Sequence, residues 1–267
     1  MRVLALLAVL LLSHTAAALP GNYLAATPGK DDFALVGSNS QALIQLSNND
    51  HKGLLRAVSS LQADIQAVSG KQLSVSHSTA GAAQMLIIGS LGNNPLLDQL
   101  IAAGKLDVSA IKGKWDAYQI QLIQQPLPGV QQALVIAGSD KRGAIYGVYD
   151  LAETIGVSPW HWWADVPLPQ RQQLYIKADT AFNDAPKVKY RGIFLNDEYP
   201  ALTNWVTEKY GGYNSKFYLR VFELLQRLKA NFLWPAMWNN AFADDDWQNA
   251  VLADEMGIVM SNSHHEP

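Results

Sequence analysis

Three short clusters carry side chains able to do chemistry. The first is Asn196-Asp197-Glu198, two adjacent carboxylates at the end of the apolar run Tyr190–Asn196. A carboxyl pair at the mouth of a cleft suits acid–base work, because a desolvated site raises one acid and leaves its neighbour ionised. Glycoside hydrolysis uses such pairs, normally from different strands and about 5–9.5 Å apart. Adjacent residues diverge, so at most one of Asp197 and Glu198 is expected to face a substrate. A loop-solvating or helix-capping pair is the plainer alternative. The second cluster is His264-His265-Glu266 after the apolar run Ile258–Asn262. It lacks the H-E-x-x-H spacing of a zinc helix, so sugar-hydroxyl binding or an orienting histidine is the better reading, and no metal is expected. The third is Trp160-His161-Trp162-Trp163, three indoles in four residues. Trp160 and Trp162 are candidates for an aromatic platform under a sugar ring. A wedge between two packed units is the competing reading. Trp234 and Trp238 are able to join either role.

Other polar segments have blander explanations. Gly138-Ser139-Asp140-Lys141-Arg142-Gly143 precedes a helical pattern and lacks the P-loop spacing, which makes Asp140 a helix cap. Asp244-Asp245-Asp246 lacks EF-hand spacing and reads as acids at a helix start. No G-x-S-x-G elbow is present.

The elements that position these clusters follow from periodicity. Phe33–Gly37 and Ala42–Ser47 read as short strands. Leu54, Val58, Leu61, Ile65 and Val68 mark one helix face closed by Gly70. Gln72–Ser78 alternates as a strand, and Gln84–Ser90 is a continuous apolar strand. Asn94-Pro95 opens a helix to Ala103. Ala117–Gln125, Ala133–Gly138 and Gln173–Lys177 read as strands, and Gly143–Ile155 as a helix. Asn183-Asp184-Ala185-Pro186 reads as a junction. Beyond it, the strands Tyr190–Asn196, Asn231–Met237 and Ile258–Asn262 alternate with the helices Phe217–Ala230 and Trp247–Met256. That β-α-β-α-β rhythm fits either a (β/α)8 barrel or a doubly wound sheet, and both place ligands at strand C-termini. The chain ends at Pro267 directly after the third strand, which predicts an N-terminal fragment of a longer protein.

Composition narrows the classes. Apolar residues make up 49% of the 267 positions and the formal net charge is −3, which disfavours disorder and a strongly basic nucleic-acid binder. There is no cysteine, which removes disulfides and thiolate chemistry. Eight Trp and ten Tyr against seven Phe suit a surface that meets flat ligands. Met1-Arg2, the apolar run Val3–Leu12 and Ala16-Ala17-Ala18 make a secretory signal over 1–18, too short in its apolar part to span a bilayer. The expectation is a periplasmic or secreted protein with no membrane anchor after processing.

The runs GSDKRGAIYGVYDLAETIGVSPWHWWADVP, KYRGIFLNDEYPALTNWVTEKYGG, VFELLQRLKANFLWPAMW and ADEMGIVMSNSHHEP resemble glycoside hydrolase family 115, covering residues 137–267 in the family's order. The resemblance implies a small α/β domain over 19–184 and, over 185–267, the first strands and helices of a truncated (β/α)8 TIM barrel. It implies a xylan α-1,2-glucuronidase that removes glucuronic acid or its 4-O-methyl form from glucuronoxylan with inversion. Asp197 and Glu198 then stand in the family's strand-end acidic motif as catalytic candidates. Asn196, Trp160, Trp162, Trp234, His264, His265 and Glu266 are substrate-binding candidates. Tyr199 departs from the residue expected at its position. This chemistry needs an acid and a base and no cofactor. The family's further carboxylates lie on later strands, so this chain alone is expected to be inactive. Arg191 precedes the first strand and is expected at the opposite end from the site. Glucuronoxylan is the expected partner, nucleic acid is not, and a homodimer is the expectation kept for the full-length protein. A hexosaminidase-like exoglycosidase and a noncatalytic carbohydrate-binding module are the alternatives.

Overall fold

The computed structural model describes residues 23–78, 82–236, 238 and 240–261. Three sheets organise them. The largest has the strand order β3-β2-β4-β6-β5-β8. Its members are β2 (Leu43–Leu46), β3 (Val75–Ser76), β4 (Gln84–Ser90), β5 (Tyr118–Gln124), β6 (Gln132–Gly138) and β8 (Ala181–Asp184). The first four in that order run parallel, and β5 is antiparallel to both its neighbours. A two-stranded antiparallel ribbon pairs β1 (Phe33–Val36) with β7 (Leu174–Ile176).

Helices cover both faces of the large sheet. α1 (Lys52–Ser69) buries Leu54, Val58, Leu61, Ile65 and Val68, the stripe its spacing predicts, and Gly70 closes it at φ 72°. α3 (Lys141–Thr154) is buried along most of its length because it lies between the sheet and other helices. Asp140 caps it, accepting from the Gly143 N–H. α2 (Pro95–Ala102) covers the other face. The Asn94 side chain caps it by accepting from the Leu96 and Leu97 N–H groups.

The third sheet is parallel, in the order β11-β10-β9, with β9 (Gly192–Asn196), β10 (Phe232–Ala236) and β11 (Val259–Met260). α4 (Ala201–Tyr210) and α5 (Ser215–Arg227) connect β9 to β10. α6 (Phe242–Asp245) and α7 (Gln248–Met256) connect β10 to β11. Phe217, Tyr218, Val221, Phe222 and Leu225 of α5 are buried against Leu233. Each such side chain stabilises the packing by roughly 1.5–3 kcal/mol. Parallel strands in sequential order with helices between them are the opening units of a (β/α)8 barrel. The three strands form an open sheet, and the whole is a mixed α/β fold.

Several elements differ from the sequence reading. The Asn183–Pro186 segment begins inside strand β8, whose edge position tolerates the polar residues and the proline that follows. Tyr190–Asn196 is not buried throughout: β9 starts at Gly192, and Ile193 and Phe194 are exposed. α4 is unexpected from periodicity because only Val206 of its ten residues is buried. The strand expected at Gln72–Ser78 shortens to Val75–Ser76.

Ionic networks join the two larger sheets. Arg227 of α5 meets Asp64 of α1 at 2.9 Å and lies over the Tyr149 ring of α3. Lys229 bonds Asp150 at 2.9 Å and the Tyr118 hydroxyl at 2.7 Å. Tyr23 donates to the other Asp150 oxygen at 3.0 Å. Burial pushes the Tyr118 and Tyr23 hydroxyls far up, and Asp150 adds to it, so both stay protonated donors. Buried ion pairs gain little over apolar packing but penalise misplacement strongly. Here they fix how the three-stranded unit sits on the six-stranded sheet.

Candidate functional site

The site grows from the ends of β9 and β10. The register pairs Phe194 with Trp234 and Asn196 with Ala236. Leu195 and Leu233 pack into the helix-side core. Alternation therefore turns Phe194 and Trp234 to the opposite, exposed face, where their rings meet edge-on at 5.1 Å.

One residue past Asn196, the chain turns and Asp197 is buried, with 6% exposure. Its backbone carbonyl accepts from the Thr203 hydroxyl at the start of α4, and Thr203 also meets the Tyr213 hydroxyl at 3.1 Å. Burial pushes the Tyr213 hydroxyl up, which keeps it a neutral partner. The Asp197 side chain reaches across to the end of β10. Its Oδ2 accepts from the Trp238 N–H at 2.9 Å and from Asn240 Nδ2 at 2.9 Å. Its Oδ1 is buried and has no hydrogen-bond partner among the described residues. A buried, unpaired carboxylate oxygen is costly unless something supplies a donor.

Asp197, Glu198, Tyr199, Thr203, Trp238 and Asn240 line a cavity of about 450 Å³, a size within the range of small-ligand sites. Asn196 organises its rim, donating through Nδ2 to Glu198 Oε2 and accepting from Trp238 Nε1 at 3.2 Å. Glu198, Tyr199 and Trp238 are exposed. The arrangement offers one buried, fixed carboxylate, one exposed one, and an indole edge and phenol beside them. That set is able to accept protons from hydroxyls or water and to flank a polar ring.

The other candidates stand apart. Trp162 and Trp163 are half-buried and meet edge-on at 4.9 Å. Trp163 packs on Trp205 of α4 and Phe217 of α5, and the Arg220 guanidinium lies 4.9 Å from the Trp162 ring centre. This is a wedge against the three-stranded unit. Trp160 is 45% exposed. None of Trp160, Trp162 and Trp234 lines the Asp197 cavity. His264, His265 and Glu266 lie outside the described residues, as does the signal segment. Arg191 bonds Asp116 and the Lys229 carbonyl at the start of β9, the end remote from Asp197. Asp246 accepts from the Ser215 and Gln248 N–H groups, and the Ser215 bond first of all holds its carboxyl low. Among the described residues, no group of three His, Asp or Glu could hold a metal ion.

Sequence reasoning missed Thr203, Tyr213 and Asn240. Thr203 and Tyr213 belong to the α4 region that periodicity did not reveal. Asn240 carried one usable signal: a polar residue just beyond a strand end, where parallel α/β units place ligands.

Comparison with known proteins bears on this geometry. Residues 183–267 match the model of glycosyl hydrolase family 115, a span that contains β9, the Asp197 cavity and β10. No curated protein matches the sequence. Among solved structures, a family GH115 4-O-methyl-α-glucuronidase with specificity for decorated arabinogalactans superposes with a TM-score of 0.76 at 31% identity, over 88% of this chain. This chain spans 30% of that protein's length. Two mutant forms of Streptomyces plicatus β-hexosaminidase, in complex with product, superpose with TM-scores of 0.52 and 0.53. They are 12% and 13% identical, cover 88% and 91% of this chain and 43% and 44% of their own, and so share the fold. With the family model over the site-bearing strands and that fold match along most of its length, the chain belongs to glycoside hydrolase family 115.

Proposed function

We propose that the protein is an exo-acting α-glucuronidase that removes glucuronic acid, or its 4-O-methyl form, from a branched plant polysaccharide. The observation that carries this reading is Asp197: a buried carboxylate at a parallel-strand end, pinned through one oxygen and unpaired at the other, in the wall of a cavity. The 31%-identical structure acts as a 4-O-methyl-α-glucuronidase, which favours the same leaving sugar here. Glucuronoxylan, with the uronate α-1,2-linked to xylose, is the proposed substrate. The neighbour's specificity for decorated arabinogalactans makes the backbone the point to test.

In this reading the reaction inverts the anomeric centre. One carboxyl protonates the leaving oxygen and a second activates water on the opposite face. Asp197 orients or deprotonates a hydroxyl through Oδ1, while the Trp238 N–H and Asn240 hold Oδ2 still. Fixing one oxygen limits rotation of the carboxylate, the kind of positioning that lowers a barrier. Glu198, exposed and bridged by Asn196, meets the sugar from the rim. Trp160, Trp234, His264, His265 and Glu266 are proposed to act further along the substrate, Trp162 to serve as packing, and the partner acid to come from other strands. Residues 19–184 and 185–267 are proposed as the two domains and residues 1–18 as an export signal, so the enzyme would work outside the cytoplasm.

The test is incubation of the complete gene product with glucuronoxylan and, separately, with glucuronate-decorated arabinogalactan. Release of 4-O-methylglucuronic acid supports the reading, and the preferred polymer sets the backbone. Release of an N-acetylhexosamine from a hexosaminide in its place would overturn it.

A further inference from the structure

A row of glutamines crosses the six-stranded sheet far from Asp197. Gln84 of β4 is the register partner of Gln132 of β6, and Gln132 is that of Gln124 of β5. Register partners share a face and sit about 4.8 Å apart. Gln84 Nε2 donates to Gln132 Oε1 at 2.9 Å, and Gln132 Nε2 donates to the Asp31 carbonyl at 2.8 Å. The Asp31 carbonyl sets the direction of this relay, since a carbonyl only accepts. Gln132 must therefore turn its oxygen to Gln84, which leaves Gln84 Oε1 as an acceptor. That oxygen is buried and has no partner among the described residues.

The row opens into a groove of about 960 Å³ lined also by Gln125 and Gln131. The groove's charges balance: Lys30, Lys105, Asp31 and Asp32 all line it. Asp32 is already engaged, accepting from the Gly29 and Ala178 N–H groups at 2.7 and 2.9 Å. Nucleic acid needs clustered cations, and none dominates here. No aromatic ring lines the groove, so it offers nothing for bases to stack on. Its remaining wall, Pro126-Leu127-Pro128, is a short apolar ridge. Gln84 and Gln132 are spent on this internal relay, whereas Gln124, Gln125 and Gln131 are exposed, and each carries a donor and an acceptor side by side. Set beside an apolar ridge, these exposed pairs match a neutral sugar chain, whose hydroxyls both donate and accept and whose C–H faces are apolar.

We propose that this groove binds the neutral, hydroxyl-rich backbone of a polysaccharide, through its exposed glutamines Gln124, Gln125 and Gln131 and independently of the Asp197 cavity. The two sites share no lining residue. The proposal does not rest on the hydrolase reading.

The experiment is calorimetric titration of the complete gene product with neutral xylan oligosaccharides and, separately, neutral galactan oligosaccharides. Three forms are compared: wild type, Gln124→Ala/Gln131→Ala and Asp197→Ala. Gln124 and Gln131 are exposed, so their loss leaves the fold intact, and a thermal melt checks this. If the double variant melts lower, Gln131→Ala alone replaces it. The expected result is binding of one oligosaccharide by wild type and Asp197→Ala with equal affinity, weakened about tenfold or more by the glutamine substitutions. Equal affinity in the glutamine variant, loss of binding in Asp197→Ala alone, or no binding by any form overturns the proposal. Glucuronate release is measured on the same samples. Its failure speaks against the hydrolase reading and leaves the groove's result standing.

Discussion

Asp116 Oδ2 lies 3.0 Å from Arg191 Nη2, and this pair ties the approach to β5 to the start of β9. The same oxygen accepts from Asn231 Nδ2 at 2.7 Å, at the start of β10, and Oδ1 takes the Arg142 guanidinium. The Asp116 carboxylate is fully buried. One acid in the six-stranded unit thus holds the first two strands whose far ends build the Asp197 cavity.

Removing that acid leaves two guanidiniums and an amide facing each other. Asp116→Ala is expected to lower unfolding free energy by about 3 kcal/mol, the low end for breaking a buried pair, because both arginines keep some solvent. Urea denaturation measures it. A loss below ~1 kcal/mol would mean that the network does not orient the two sheets.

The tryptophan cluster gives a second contrast. Trp163→Ala should cost about 2–3 kcal/mol through lost packing on Trp205 and Phe217. Trp162→Ala should cost less: it loses edge contacts with Trp163 and Trp205 and the Arg220 guanidinium, but none with the buried Phe217. Thermal melts and steady-state kinetics on the two variants check this. Unchanged melting with a raised KM would instead make the indoles a sugar platform.

α1 and α7 meet closely at Gly53, where an added Cβ would stand 2.3 Å from the Glu255 carbonyl oxygen. Backbone cannot yield as a side chain tip does. Gly53→Ala is expected to destabilise by about 1–3 kcal/mol despite the better helix propensity of alanine. A gain in melting temperature would contradict the packing described.

Glu255 also gives a pH dependence. The Lys52 hydrogen bond first, then Arg56, holds its carboxyl below the usual glutamate range. A depressed acid contributes stability above its unfolded pKa of about 4.3, and that contribution is lost as pH falls through the lower folded value. Lys52 and Arg56 are well exposed, so the amount is less than ~1 kcal/mol. Glu255→Gln should lower stability slightly at neutral pH and flatten the loss below about pH 4. Parallel pH–stability curves for the two proteins would refute the link.

Much of this arrangement was legible where local chemistry and tertiary packing agree. The Asn94 and Asp140 caps, the Gly70 stop and the strand Gln84–Ser90 follow from residue type alone, and the structure has each. Where the signal was tertiary, sequence was silent. β8 exists because β5 offers an edge, although its Asn-Asp pair reads as the start of a junction. α4 carries one buried residue and so no periodicity. The acidic motif pointed to Asp197 and Glu198, but not to which is buried. That depends on the Trp238 N–H and Asn240 arriving from β10, forty-odd residues away.

In the proposed reaction, the unpaired oxygen of Asp197 meets the sugar or the attacking water. Asp197→Asn keeps an oxygen for the Trp238 and Asn240 donors while replacing the free acceptor with an N–H2 group. The decisive measurement is kcat for 4-O-methylglucuronic acid release by the complete gene product carrying that change. The expected result is a fall of about 10²–10⁴-fold with the melting temperature preserved. A rate equal to wild type would contradict it.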